Sequence, residues 1–175
     1  MRVLSAIGAV AIAAAVLVAG FFFGGFFNVS AAVDDPGFVN AAIVRVREAS
    51  IAKRATETPP VPLDKPDMIQ AGARQFSARG CANCHGAPGV DWAKFSEGLN
   101  PGPPDLKDVV GTDSTEHLFW VIKNGIRMTG MPSFAKAGSS DDDIWQIVAF
   151  IKKLPDVSEA DYKKWTAEPS QEKQP

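Results

Sequence analysis

Cysteine is scarce in this chain. Of 175 residues only Cys81 and Cys84 are cysteine, so no framework of structural disulfides is available to staple a small fold. Histidine is equally rare, with His85 and His117 the whole supply. Structural zinc usually takes a second pair of ligands, and none accompanies Cys81, Cys84 and His85. Neither sign of charge dominates: the net charge of −2 gives no electrostatic basis for binding nucleic acid. No run alternates apolar and polar positions with β-branched residues, so no sheet is expected and the fold class reads as all-α. The same lack removes the βαβ setting that a thiol oxidoreductase would need around its C-x-x-C pair. No internal repeat is present. The length suits one domain with extra segments rather than two large domains.

One absence is local. Val3 to Phe27 holds no charged residue, and those 25 residues would form a helix about 37 Å long. A bilayer core of about 30 Å needs about 20 apolar residues. A secretory signal is the competing reading, with Arg2 as a charged start and Val29-Ser30-Ala31 as a cleavage site. The run exceeds the usual signal core and ends in Phe21, Phe22, Phe23, Phe26 and Phe27, which favours a retained single-pass anchor over residues 1–33. Either reading exports the rest of the chain.

Residues 34–66 read as a juxtamembrane segment and linker. Phe38, Ala42, Ile43, Val46 and Ala49 recur at helical spacing, with Arg45, Arg47, Lys53 and Arg54 as a basic face. Two readings stay open: a helix lying on anionic headgroups, or a solvated helix that continues the anchor or packs on a partner. Thr58 to Pro66 carries four prolines and is expected to be an extended spacer that lifts the next domain off the membrane.

Residues 67–165 form the expected compact domain. A first helix starts at an Asp67 N-cap, with apolar Met68, Ala71 and Ala78, and with Gly72 and Phe76 on one face. A second runs over about 114–124, capped by Asp113 with Glu116, and carries Leu118, Trp120, Val121 and Ile122. The last long helix spans Asp141 to Leu154, capped by Ser140 and Asp143 and stopped by Pro155; Ile144, Ile147, Val148 and Ile151 are its inward stripe. Ser158 to Trp165 reads as a short extra helix, and 166–175 as a disordered tail.

Five residues carry the chemistry: Cys81-Ala82-Asn83-Cys84-His85. This C-x-x-C-H pattern is the attachment signature of a c-type haem. Each sulfur can add to one vinyl group, and the adjacent imidazole faces the iron. A methionine opposite would raise the reduction potential. Met131 is favoured for that place over Met128, because Gly130 lets the backbone pass close to the porphyrin and Pro132 fixes the chain beyond. His117, in the first turn of its helix, is the weak competitor.

With these motifs in hand, residues 67–154 resemble the class I c-type cytochromes of bacterial respiratory chains. The resemblance rests on Cys81 to His85, Pro104-Asp105-Leu106, Thr129-Gly130-Met131-Pro132 and Ile147 to Lys153, in that order. It implies a small cytochrome c fold around one covalent haem c, and one-electron transfer. It also implies that the first domain helix crosses the last, with Gly72 and Phe76 facing Ile147 and Phe150. The Pro104 carbonyl would accept a hydrogen bond from His85 Nδ1. One departure is charge: residues 67–154 hold nine Lys/Arg against ten Asp/Glu, not the lysine-rich face of many soluble members.

The expected function is therefore a non-enzymatic electron carrier, anchored in a bacterial inner membrane with its haem domain in the periplasm. It would be free-standing or the cytochrome subunit of a dehydrogenase or oxidase. Its partners would be a redox protein donor and acceptor, with no nucleic acid and no small-molecule substrate. The alternative is a haem enzyme or gas sensor with an open iron site.

Overall fold

The computed structural model describes residues 2–167, and they divide into two units at Asp34/Asp35. The first unit is one helix, α1 (Arg2–Phe23), followed by an irregular segment. Its 22 residues span about 33 Å, long and apolar enough to cross a bilayer. It stops at Phe23, short of the full uncharged run, because Gly24-Gly25 interrupts it. The chain then turns so that Phe27 packs on Phe22 with ring centroids 5.1 Å apart.

The second unit is all-helical, and no strand occurs among the described residues; one isolated bridge joins Ala87 and Val90. Its long helices are α2 (Gly37–Ala52), α3 (Pro66–Ala78), α6 (Thr115–Asn124), α7 (Asp141–Lys153) and α8 (Glu159–Ala167). Two four-residue turns, α4 (Ala82–His85) and α5 (Leu106–Val109), and a 3-10 turn at Lys94–Gly98 interrupt the loops.

The start of α3 differs from expectation. Lys65 is the N-cap residue and Pro66 occupies the first turn, where its fixed φ suits a helix start. Asp67 sits one position further in, as a first-turn acid favoured by the helix dipole. The inward stripe is Ile69, Gly72, Ala73 and Phe76; it contains the expected Gly72–Phe76 face, and Met68 packs at its edge.

Helix α7 is buried along Ile144, Trp145, Ile147, Val148, Phe150 and Ile151. Ser140 and Asp143 form the reciprocal capping box at its start. Asp143 also accepts from Gln75 Nε2 at 3.2 Å and pairs with Arg79 at 3.5 Å, which ties the start of α7 to the end of α3. The two helices cross at Gly72. A Cβ there would lie 2.6 Å from the Gln146 carbonyl carbon and 2.8 Å from Phe150 Cβ, so only glycine admits this approach. Phe76 meets Phe150 at 5.2 Å, and Phe150 stacks in turn on Tyr162 of α8 at 5.6 Å. Helix α8 continues through Thr166 and Ala167, two residues into the expected tail; the rest of that tail lies outside the described residues.

Helix α6 packs on α7 through Leu118, Phe119 and Ile122. Phe119, overlooked in the sequence reading, is fully buried and stacks on Trp145 at 3.9 Å, worth about 0.5–1.5 kcal/mol beyond its burial. The cap of α6 is Ser114, whose hydroxyl accepts from His117 N at 3.1 Å; the expected Asp113–Glu116 box does not form. Asp113 turns its carboxylate to the His117 ring instead.

Segment 35–66 is part of this unit rather than a detached spacer. Helix α2 packs on α6, and the buried residue of α2 is Ile51. Beyond α2, Glu57 reaches Lys123 Nζ at 3.0 Å, and the same ammonium meets Asp141 at 2.9 Å. The proline-rich stretch therefore starts from a point fastened to α6 and runs to α3.

Candidate functional site

The end of α3 sets up the C-x-x-C-H turn. Gly80 N donates to the Ser77 carbonyl and Cys81 N to the Phe76 carbonyl, the paired closure of a Schellman motif. The chain passes without slack into α4, where His85 N bonds the Cys81 carbonyl at 3.0 Å. Cys81 is buried among core residues, whereas Cys84 and His85 are half-buried on the same turn. Ala93 N bonds the Asn83 carbonyl at 2.8 Å and folds the following loop back onto the turn. That loop exposes Trp92 and Phe95.

His85 is oriented by backbone. Its Nδ1 lies 3.0 Å from the Pro104 carbonyl oxygen. A carbonyl only accepts, so Nδ1 carries the proton and Nε2 keeps its lone pair. Burial lowers the pKa of this imidazole, and the Pro104 carbonyl partly offsets that, so the ring stays neutral and able to donate electrons. The ring borders a pocket with Gly86, Pro88, Trp92, Asp105 and Leu154.

Burial pushes the Cys81 thiol up to about 12. Redox-active C-x-x-C pairs need a depressed thiol pKa. Cys81 has the opposite setting.

Met131 stands on a braced loop. Thr129 Oγ1 donates to the Ile126 carbonyl at 2.8 Å and accepts from Met131 N at 3.1 Å; Ile126 N closes the turn onto the Met131 carbonyl at 3.1 Å. Gly125 begins the loop at φ +68, and a Cβ there would lie 2.6 Å from the Pro132 carbonyl carbon. Met131 is half-buried and packs against the core. Met128 sits at the tip, 78% exposed, in the left-handed region at φ 62, where a bulky side chain is strained. At Gly130 an added Cβ would meet the Leu99 side chain, 2.8 Å away. Leu99 carries no sequence signal for this contact, and Thr129, part of the Thr129-Gly130-Met131-Pro132 motif, proves to be the brace of the loop. His117 is directed elsewhere, with Nε2 3.7 Å from Asp113 and 4.0 Å from Glu48.

Two thiols on one turn, an imidazole with a bare Nε2 and a held thioether form a donor set that fits a c-type haem. Comparison with known proteins agrees. Residues 67–151 match the family described as cytochrome c oxidase, cbb3-type, subunit III. No curated protein matches the chain. No solved structure matches it. The matched span begins in α3 and ends in α7, so it contains the C-x-x-C-H turn, Pro104 and the braced Met131 loop. Residues 67–151 of this chain are a class I c-type cytochrome domain, built to bind haem and to transfer electrons.

Proposed function

We propose that the chain is a membrane-anchored one-electron carrier with a single haem c, attached through Cys81 and Cys84 and ligated by His85 and Met131. Haem so held cycles between two iron oxidation states, and thioether ligation raises its potential. The observation that carries the reading is the lock on His85. Pro104 fixes the ring and its tautomer, which leaves one nitrogen for the iron. The protein does the rest by position. Cys81 is held rigidly in the core and Cys84 lies nearer the surface, so attachment fixes the porphyrin to a turn that cannot move away from α3. Thr129 and Gly125 hold the Met131 loop through protein contacts alone.

In this reading α1 stays in the membrane, the cytochrome domain faces the periplasm, and electrons pass between protein partners without a small-molecule substrate. The carrier is either free-standing or the cytochrome subunit of a dehydrogenase or oxidase. The test is a pair of substitutions in the haem-loaded protein. Met131→Ala should abolish the thioether–iron charge-transfer band, lower the potential and open the iron to carbon monoxide. Met128→Ala should leave the spectrum unchanged. The reverse pattern refutes the ligand assignment. Rapid, complete binding of carbon monoxide by the unaltered reduced protein would instead support an open-site haem enzyme or gas sensor.

A further inference from the structure

Helix α2 has two apolar faces, and the domain uses only one. Ile51 is 2% exposed, and Val44, two turns earlier on the same line, is half-buried. On the opposite side lie Phe38, Ala42, Val46 and Ala49, at the i, i+4 and i+3 spacings of a continuous stripe. Phe38 is 78% and Val46 70% exposed. Arg45 borders this stripe on one side, Lys53 continues it just past the end of the helix, and both are exposed. The only acid within the helix, Glu48, lies off the stripe and pairs with Arg47 at 2.9 Å.

We propose that this outer face of α2 lies in the headgroup region of an anionic bilayer, with Phe38 and Val46 at the acyl boundary and Arg45 and Lys53 reaching anionic headgroups. The inference rests on the reading of α1 as a retained anchor. Two observations favour lipid over protein as the occupant. The charges next to the stripe, Arg45 and Lys53, are cationic and the stripe itself carries no acid, which is the charge pattern of interfacial helices. The chain also leaves the candidate span at Phe23 and re-enters helix at Gly37, so α2 is the first helix after that span. Because the inner face of the same helix is fastened to α6, a helix seated this way holds the cytochrome domain against the bilayer. Residues 58–65 then serve as a return loop, not a mast.

The test uses the full, haem-loaded protein bearing Ala42→Cys with a nitroxide label, reconstituted in vesicles of phosphatidylcholine alone or with one third phosphatidylglycerol. Collision with oxygen reports lipid contact, and collision with a water-soluble nickel chelate reports exposure. In the anionic vesicles the label should become oxygen-accessible and nickel-protected. Arg45→Gln with Lys53→Gln should lower the ratio of seated to free helix by roughly thirtyfold, at the usual contribution of each cation near an anionic surface. Equal nickel access in both lipids overturns the proposal. So does protection that depends on protein concentration, which indicates a second copy, or protection found only in native membranes, which indicates a protein partner. Failure of the anchor reading is separate: the protein would then not float with the vesicles in high salt at all.

Discussion

Gly72→Ala probes the helix crossing on which the domain depends. The added methyl would sit 2.6 Å from the Gln146 carbonyl carbon and 2.8 Å from Phe150 Cβ, against an ordinary carbon–carbon contact of about 3.5–4.0 Å. The shortfall is about 1 Å, and the first obstacle is backbone, which cannot swing aside like a side-chain tip. Overpacking of this kind costs about 1–3 kcal/mol, and the upper end applies here. Alanine returns about 1 kcal/mol through its better helix propensity. The net loss is then about 2 kcal/mol, or a fall of about 8–16 °C in Tm for a domain of this size. Gly111→Ala is the control, because a Cβ there meets nothing within 4 Å and its φ is unremarkable. Both proteins would be compared in the haem-loaded state by thermal and denaturant unfolding. A Gly72→Ala protein as stable as the parent would refute the crossing.

Ser140→Ala removes the hydroxyl that accepts from Asp143 N and should cost about 1 kcal/mol in a urea titration. Lys123→Ala severs the contacts to Glu57 and Asp141; it should cost no more than about 1 kcal/mol, a loss that shrinks in high salt, and should speed proteolysis between Lys53 and Pro62. In protein made without haem attachment, iodoacetamide at pH 8 should label half-exposed Cys84 well before Cys81, whose thiol titrates near 12 and supplies almost no thiolate there; equal labelling, read by mass spectrometry, would count against the burial argument.

What could be read in the sequence is what local chemistry dictates. The C-x-x-C-H turn, the capping box of α7 and its inward stripe all depend on residues a few positions apart. Elements decided by distant contacts were harder to read. Helix α2 has apolar residues on two sides, and the more regular stripe is the outer one; only the position of α6 selects Ile51 for burial. Asp113 and Ser114 are both good caps, and Asp113 is drawn off by the His117 ring. Phe119 lay unnoticed between better-placed neighbours because its partner, Trp145, is on another helix. The contact of Leu99 with Gly130 joins two loops that carry no shared pattern.

Lys123 has a mechanical consequence. Its ammonium holds Glu57 and Asp141, while its own carbonyl accepts from Ser133 Oγ at 2.8 Å and from Ala135 N at 3.2 Å, just beyond Met131. A pull that has already freed α2 from α6 meets this ion pair before it meets α3. A surface pair is worth at most about 1 kcal/mol, far less than a packed helix crossing. The contact is therefore the weaker of the two remaining holds: it parts before the α3–α7 crossing does and releases the segment between α2 and α3. Each freed residue adds up to about 3.5 Å of reach. The segment between α2 and α3 can lengthen while the α3–α7 crossing stays packed.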